Sequence, residues 1–457
     1  MELLFDYEKQ NSIMDRFFRD YLTMKMARIP KINRVYDTFK AYHLNCEFGT
    51  TRELCADLLT YAKYYTNMVF ARSDNSRLKD LYSDIGDLRM EVAFPFLLKV
   101  HNDCAEGIIS EDKLIEIINM CISYVFRRSI CNIPTNSLNK TFATLRNEIK
   151  SDDYMNSIKA FFVLRDDYKE FPDDDKFEKA FVSRDIYTMR SRNFILSHLE
   201  NFGNKAPIII ENYTIEHIMP QNSNPRDEWK TMLGPNWKEI QKTYLHTIGN
   251  LTLTAYNSEM SDKPFIDSSD PSNSKMDMNG GFKESALRLN AYLVKLTEWN
   301  EQHIKERAKL LADKAEQIWK YPEISDSELA PYQVEEKPAQ KYTIDSYDIN
   351  DFTKALFDML DKRICNLSPD IKREFKKLYI AYKLDTNFVY IVVQKQRLRI
   401  SLNMKFSEIH DPKGICKDIT GIGRWGNGDV EVFFEHTSNI DDVMELIKQS
   451  YRKQADE

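Results

Sequence analysis

The sequence predicts a mainly α protein with α+β parts: a helical N-terminal region, a short β-prone centre embedded in helices, and a small C-terminal α+β domain. Three observations predict it. Apolar residues recur at helical spacing through the first half, as in Leu54, Leu58, Ala62, Tyr65 and Val69. The 457 residues hold only 13 glycines and 15 prolines, too few for a turn-rich all-β chain or for long disorder. Strand-like runs come late, the strongest being Phe388-Val389-Tyr390-Ile391-Val392-Val393.

The first domain, residues 1–202, is read as an irregular helical array. Leu114, Ile117, Cys121 and Val125 follow a cap at Ser110, and turns fall at Cys131-Asn132-Ile133-Pro134 and at Phe171-Pro172. No fixed repeat of about 34 or 40 residues marks a regular solenoid. Arg127-Arg128 read as helix-end charges or a domain contact. A second domain spans 203–322. Two short β-prone runs, Ala206–Ile210 with Tyr213-Thr214-Ile215 and then Asn250–Thr254, precede renewed helical periodicity. That periodicity runs from Leu289, Leu293, Leu296 and Trp299 through Ile304, Ala308, Leu311, Ala315 and Ile318, with Trp299 and Trp319 as core. Tyr321-Pro322 stops it. Residues 323–340 are acidic, carry Pro331 and Pro338, and read as a linker. Residues 341–457 form the α+β domain, with Phe388–Val393 and Leu398–Leu402 as a hairpin, Val430–Phe434 as a further strand, and helices at 352–360 and 440–451.

Composition narrows the function classes. No apolar run reaches the roughly 18 residues of a membrane helix. The start, Met1–Asp6, lacks the basic and apolar parts of a secretory signal. Cys46, Cys55, Cys104, Cys121, Cys131, Cys365 and Cys416 are odd in number and form no C-x-x-C pair, so neither a disulfide framework nor a thiolate zinc site is expected. A reducing, cytoplasmic location follows. A net charge of -7 excludes a globally basic coat protein but leaves a local basic groove open. Lys372-Arg373, Lys376-Lys377, and Lys395, Arg397 and Arg399 on alternate positions of one strand are the basic candidates for DNA, with a solubilising face as the alternative.

The chemistry concentrates in 211–265. Glu216-His217-Ile218-Met219-Pro220 joins a carboxylate to an imidazole at a strand end. A strict strand would point the two to opposite faces, so a turn at Ile218–Pro220 is expected. Phosphodiester hydrolysis needs a base for water, which suits a neutral His217. It also needs charge neutralisation at the leaving oxygen, which suits a hard divalent cation on oxygen ligands such as Glu216 and Asn257. The Asn250 amide is suited to fixing the loop that holds His217. Lys263 and His246 are further candidates for DNA contact, with a solvated lysine and a structural histidine as the alternatives.

The order Glu216-His217-Ile218-x-Pro220, Asn250-Leu251-x-Leu253, Asn257, Lys263 resembles the HNH or His-Me finger (ββα-metal) nuclease motif. With Leu245–Thr254, Lys263-Pro264-Phe265, Trp299, Ile304, Arg307, Ile318-Trp319, Arg127–Cys131 and Pro134-Thr135-Asn136, it is more closely similar to GmrSD-type modification-dependent restriction enzymes. The C-terminal module resembles an uncharacterised domain appended to such proteins. The resemblance implies a central ββα-metal nuclease unit and an antiviral DNA endonuclease. It gives His217 as general base, Asn250 as the loop-orienting residue, and Glu216 and Asn257 as ligands of one Mg²⁺ or Mn²⁺. It implies double-stranded DNA, modified or foreign, as substrate, and a homodimer for duplex cutting. Such enzymes usually carry an N-terminal nucleotide-hydrolysing domain. No G-x-x-x-x-G-K-[ST] stretch occurs here, so that sensor is expected as a separate domain or subunit. The competing class is a non-catalytic DNA-binding or partner-docking subunit with a degenerate site.

Overall fold

Two units make up the chain in the computed structural model, Met1–Val334 and Glu335–Glu457. The described residues are 7–45, 50–165, 169–333, 342–368, 370–384, 386–420 and 428–455; Cys46 and the 334–340 part of the expected linker lie outside them. The fold is mainly α with α+β parts, and its larger sheet lies in the C-terminal unit.

The first unit opens with α1 (Tyr7–Met26), α2 (Val35–Asn45), α3 (Thr51–Val69), α4 (Ser76–Asp87), α5 (Phe94–Ala105) and α6 (Glu111–Ile130). Local chemistry sets the helix starts. Thr50 and Glu53 form a capping box on α3, and the Ser110 hydroxyl accepts the Lys113 N–H at the start of α6. Next come α7 (Leu138–Leu145), α8 (Tyr154–Val163), α9 (Asp174–Ser183) and α10 (Arg192–Asn201). Arg127 and Arg128 are buried ties. Arg127 Nε donates to Trp319 O at 2.6 Å, and Arg128 donates to Glu170 O and Pro134 O at 2.9 Å each. A buried guanidinium that satisfies several carbonyls joins segments distant in sequence.

His101 on α5 is buried with Nδ1 on Leu97 O and Nε2 on the Tyr82 hydroxyl, each at 2.7 Å. The carbonyl only accepts, so Nδ1 carries the proton and Nε2 accepts from Tyr82. Burial pushes the imidazole down to about 4. The unfolded chain takes up this proton near pH 6.5, and the folded chain does not until about 4. Stability should therefore fall by about 1.4 kcal/mol per pH unit as pH drops through that window. Urea midpoints measured from pH 7 to 4 should show this slope in the wild type and a slope one proton smaller in His101→Gln; equal slopes would contradict the burial argument.

The remainder of the first unit contains β1 (Thr214–His217), α11 (Asp227–Leu233), α12 (Trp237–Tyr244), β2 (Leu251–Thr254), α13 (Asn257–Met260), α14 (Glu301–Ile318) and α15 (Asp326–Leu329). The strands pair antiparallel, Thr214 with Thr254 through His217 with Leu251. They run between two apolar clusters. Leu251 and Leu253 join the cluster of the helical region, whereas Ile218 and Met219 enter a second cluster with Trp229, Phe265 and Trp299. The helical region and the β-bearing segment thus share a core.

Two expected elements are different. Ala206–Ile210 is not a strand. The Asn201 side chain takes both backbone groups of Ile208, at 2.8 and 3.1 Å, and no ladder forms. The periodic run from Leu289 is not helical until Glu301. The Glu200 carboxylate accepts the N–H groups of Arg288 and Leu289, both at 2.8 Å, and holds that stretch in short 3-10 turns. Trp299 therefore precedes the helix, and Asn300 caps it. Residues 323–333, expected as linker, hold the capped α15, and the Tyr332 hydroxyl donates to the Asp153 carboxylate at 2.6 Å.

The second unit holds α16 (Asp351–Cys365), β3 (Lys372–Phe375), β4 (Ile380–Lys383), β5 (Asn387–Gln394), β6 (Arg397–Leu402), β7 (Cys416–Asp418), β8 (Val430–Phe434) and α17 (Ile440–Ala455). The antiparallel sheet has the order β3-β4-β5-β6-β8-β7. Leu356, Phe357 and Leu360 of α16 and Val443, Met444 and Ile447 of α17 pack with Ile391, Ile400 and Val432 of the sheet. The short charged edge strands β3 and β7 carry too little apolar alternation to read from sequence. No described helix of either unit is long and apolar enough to cross a membrane.

Candidate active site

Asn250 organises the site. Its side chain is fully buried. Oδ1 accepts the Met219 N–H at 2.8 Å and the Trp299 indole N–H at 3.2 Å. Nδ2 donates to Met219 O at 3.1 Å and Leu245 O at 3.0 Å. All four hydrogen-bonding positions of the amide are thus engaged. They pin the chain where it leaves β1, just beyond His217. Gly249 must come close to α14, because a Cβ there would lie 2.4 Å from Ile304 O. The buried Arg307 Nη1 donates to Ile248 O at 3.0 Å and Gly249 O at 2.8 Å, fixing the same loop from the helix side.

Glu216 and His217 diverge, as strand alternation requires, and both reach one pocket because β1 ends at His217. This pocket has a volume of about 340 Å³ and is lined by Glu216, His217, Pro220, Gln221, Asn222, Asn257, Ser261 and Asp262. The chain bends at Ile218 and Met219, where the sequence expects a turn.

His217 is 3% exposed. Its Nε2 meets His246 Nδ1 at 3.1 Å, and its Nδ1 has no partner in the described protein. Tyr187 completes the cluster: its ring stacks on His246 at 5.2 Å and 10°, and packs edgewise on His217 at 4.5 Å and 66°. Burial pushes the His217 imidazole down to about 3, helped by His246 and the Lys275 charge and opposed by Asp185. The ring is therefore neutral at pH 7.

Glu216 meets a group that no sequence signal marked. The Lys275 ammonium is fully buried, pairs with Glu216 Oε1 and donates to His217 O at 2.8 Å. Burial raises the Glu216 carboxyl and lowers the Lys275 ammonium, and the charge of each partner opposes both shifts. Lys275 lies 59 residues from Glu216, in a polar stretch without regular structure, so its role is purely tertiary.

Asn257 opens α13 and donates from Nδ2 to Ile215 O at 2.7 Å, which fixes the amide plane beside β1. Asp262 pairs with Arg226 at 3.1 Å. Among the described residues no cluster of three or more His, Cys, Asp or Glu forms a cage for a metal. The donor set suits a different binding mode. Mg²⁺ keeps several waters and takes one or two carboxylates together with substrate phosphate. The oxygen atoms of Glu216 and Asn257 in the lining of the pocket have the chemistry that would hold such an ion.

Residues 171–314 match the family model described as GmrSD restriction endonucleases, C-terminal domain. This segment is similar to the C-terminal domain of GmrSD restriction endonucleases. It contains Tyr187, β1, β2, α13 and Lys275. Residues 345–454 match a domain of unknown function, DUF5655. An uncharacterized protein of Haemophilus influenzae is 40% identical over 105 residues, covering 23% of this chain and 35% of that protein. The match thus spans about a third of the relative's length.

This segment brings together Glu216, His217 and Asn257 at the pocket, while His246 meets the His217 ring and Asn250 bonds Met219 just beyond it. Lys263 does not line the pocket. Its Nζ faces Ser272 O at 3.4 Å, while its carbonyl accepts the Trp229 indole N–H at 3.0 Å. His246, expected as a DNA contact or a structural residue, is the ring partner of His217. In the second unit Lys395 sits in the β5–β6 turn rather than on the strand face of Arg397 and Arg399. Arg397 pairs with Glu435 at 2.8 Å and covers the Phe433 ring at 4.0 Å, and Arg399 faces Glu431 at 3.8 Å. The expected basic face is thus largely neutralised by its own sheet.

Proposed function

We propose that the GmrSD-type domain is a DNA endonuclease that hydrolyses phosphodiester bonds with His217 as general base, in defence against modified or foreign DNA. One observation carries the reading: the His217 ring is anchored through Nε2, has no Nδ1 hydrogen-bond partner among the described residues, and lies beside a pocket that also holds Glu216 and Asn257, with burial favouring its neutral form. A base needs its lone pair free and its ring fixed, and this arrangement supplies both. With Nε2 carrying the proton and donating to His246, Nδ1 takes the proton of an attacking water. The negative phosphates of bound DNA raise the proton affinity of the imidazole from its low resting value.

The order of two antiparallel strands and a short helix, with His217 at the end of β1 and Asn257 at the start of α13, supports an HNH or His-Me finger unit. Glu216 and Asn257 would hold the divalent cation, Mg²⁺ or Mn²⁺. Bound there, the cation supplies charge neutralisation at the leaving oxygen. Lys275 keeps Glu216 in place through Oε1. Asn250 holds the turn that fixes His217. Sensing of modification and nucleotide hydrolysis are assigned to a further domain or subunit, and duplex cutting to a pair of such domains.

Supercoiled plasmid, unmodified and phage-modified, incubated with Mg²⁺, Mn²⁺ or EDTA tests the reading. Nicked or linear product should form with either metal and be absent with EDTA. Tight, salt-dependent DNA binding without product in any condition, even with a nucleotide-hydrolysing partner added, would favour a non-catalytic DNA-binding subunit instead.

A further inference from the structure

We propose that residues 184–192 form a phosphate-binding rim beside the His217 pocket, with Arg190 and Arg192 contacting the backbone of duplex DNA. The inference rests on the nuclease reading above and adds where the substrate is held.

The segment connects α9 to α10 and is fastened to the site. The Ile186 and Tyr187 N–H groups point to His246 O at 2.9 and 3.4 Å, and Ile186 is fully buried. Tyr187 carries the connection outward. One part of its environment is the His217–His246 pair, and another is the Arg192 guanidinium, 5.7 Å from its ring centroid. Arg192 Nη1 also donates to Tyr187 O at 3.2 Å. An exposed guanidinium therefore stands one aromatic ring away from the proposed base. Arg190, two residues earlier, is exposed, and Arg184 donates to the Asn132 amide oxygen at 3.2 Å.

The charge balance distinguishes this rim. Near the pocket, Lys275 is paired with Glu216 and Arg226 with Asp262, while the Lys263 ammonium is folded onto a backbone carbonyl. Among the described residues, Arg184, Arg190 and Arg192 face no carboxylate. The single acid within the segment, Asp185, accepts the Thr188 N–H at 3.0 Å. Guanidinium donors free of carboxylates suit phosphate oxygens, which they bind in a planar, bidentate way. Stacking on Tyr187 orients one of them without neutralising it. DNA is the occupant that fits: a polyanion whose scissile phosphate lies in the pocket must run its neighbouring phosphates past the pocket's edge.

The test uses the full chain carrying His217→Ala, so that duplex DNA is bound and not cut. Binding of a fluorescent duplex is measured from low to high salt. Arg190→Ala with Arg192→Ala should reduce the steepness of log K against log salt by about 1.8, close to 0.9 for each lost phosphate contact. Affinity near physiological salt should fall at least about tenfold. Lys395→Ala with Arg399→Ala should leave both unchanged. Circular dichroism checks that each variant is folded. An unchanged salt slope in the rim variant, with the parent still binding, overturns the rim and leaves the nuclease reading standing. Failure of the parent to bind duplex at all overturns the DNA reading and the rim with it.

Discussion

His217→Ala is expected to lower metal-dependent cleavage by about 10²–10⁴-fold, the range of a positioned general base, while the protein stays folded. The ring makes one side-chain hydrogen bond, to His246, and packs on Tyr187. Its loss removes the proposed proton acceptor but leaves the Asn250 bonds to Met219 and the β1–β2 ladder intact. Plasmid nicking and an unfolding midpoint measured on the same preparation separate the two effects. A variant that cuts as fast as wild type would remove His217 from the mechanism, whatever the fate of the DNA reading. A variant that fails to fold would instead make His217 a structural group.

The second large effect belongs to Lys275→Met, which should destabilise the first unit by about 3–5 kcal/mol, the usual result of leaving one half of a buried ion pair. Glu216 is 3% exposed and would keep a carboxylate without a counter-charge, and the His217 carbonyl would lose its donor. Glu216→Gln combined with Lys275→Met should recover most of the loss, since a neutral amide beside a methionine leaves no unpaired charge. Urea unfolding of the wild type, both single variants and the double variant reads the coupling directly. A Lys275→Met cost under about 1 kcal/mol would mean that the pair contributes little and that Glu216 is free to face the pocket. The double variant should not cut even if it is stable, because Glu216 is one of the two proposed cation ligands.

The chemistry of the site was unusually close to the surface of the sequence. Glu216, His217, Asn250 and Asn257 fall within 42 residues of chain, and short-range rules suffice to place them. A proline at 220 calls for a turn, β-prone runs call for two strands, and an asparagine between them calls for a loop-fixing amide. Helix periodicity likewise located α3 and α6, because an amphipathic stripe records which face is buried. The strong strands β5, β6 and β8 declared themselves through apolar runs.

Where the reading of elements failed, a side chain from elsewhere had captured the backbone. Asn201 prevents a strand at Ile208, and Glu200 prevents a helix at Arg288 and Leu289. Neither interaction has a periodicity, so neither leaves a trace that a local pattern can report. The charge of the basic residues is likewise set from elsewhere. Arg397 and Arg399 form a basic face on alternation alone, and carboxylates set against them in the fold partly neutralise that charge. Glu431 on β8 and Glu435 just beyond it do so, through strand pairing that brings distant segments side by side.

By itself, then, the sequence determined the fold class, the pair Glu216-His217 at a strand end, and the amides Asn250 and Asn257 that accompany them. Tertiary structure alone decided how those groups are charged and held. It set Lys275 against Glu216, His246 and Tyr187 against His217, and Arg307 against the Gly249 loop. The physical reason is range. Backbone preferences and alternation act over a few residues, whereas burial and ion pairing depend on which distant side chains share one low-dielectric volume, and those two effects govern the ionisation of Glu216 and His217.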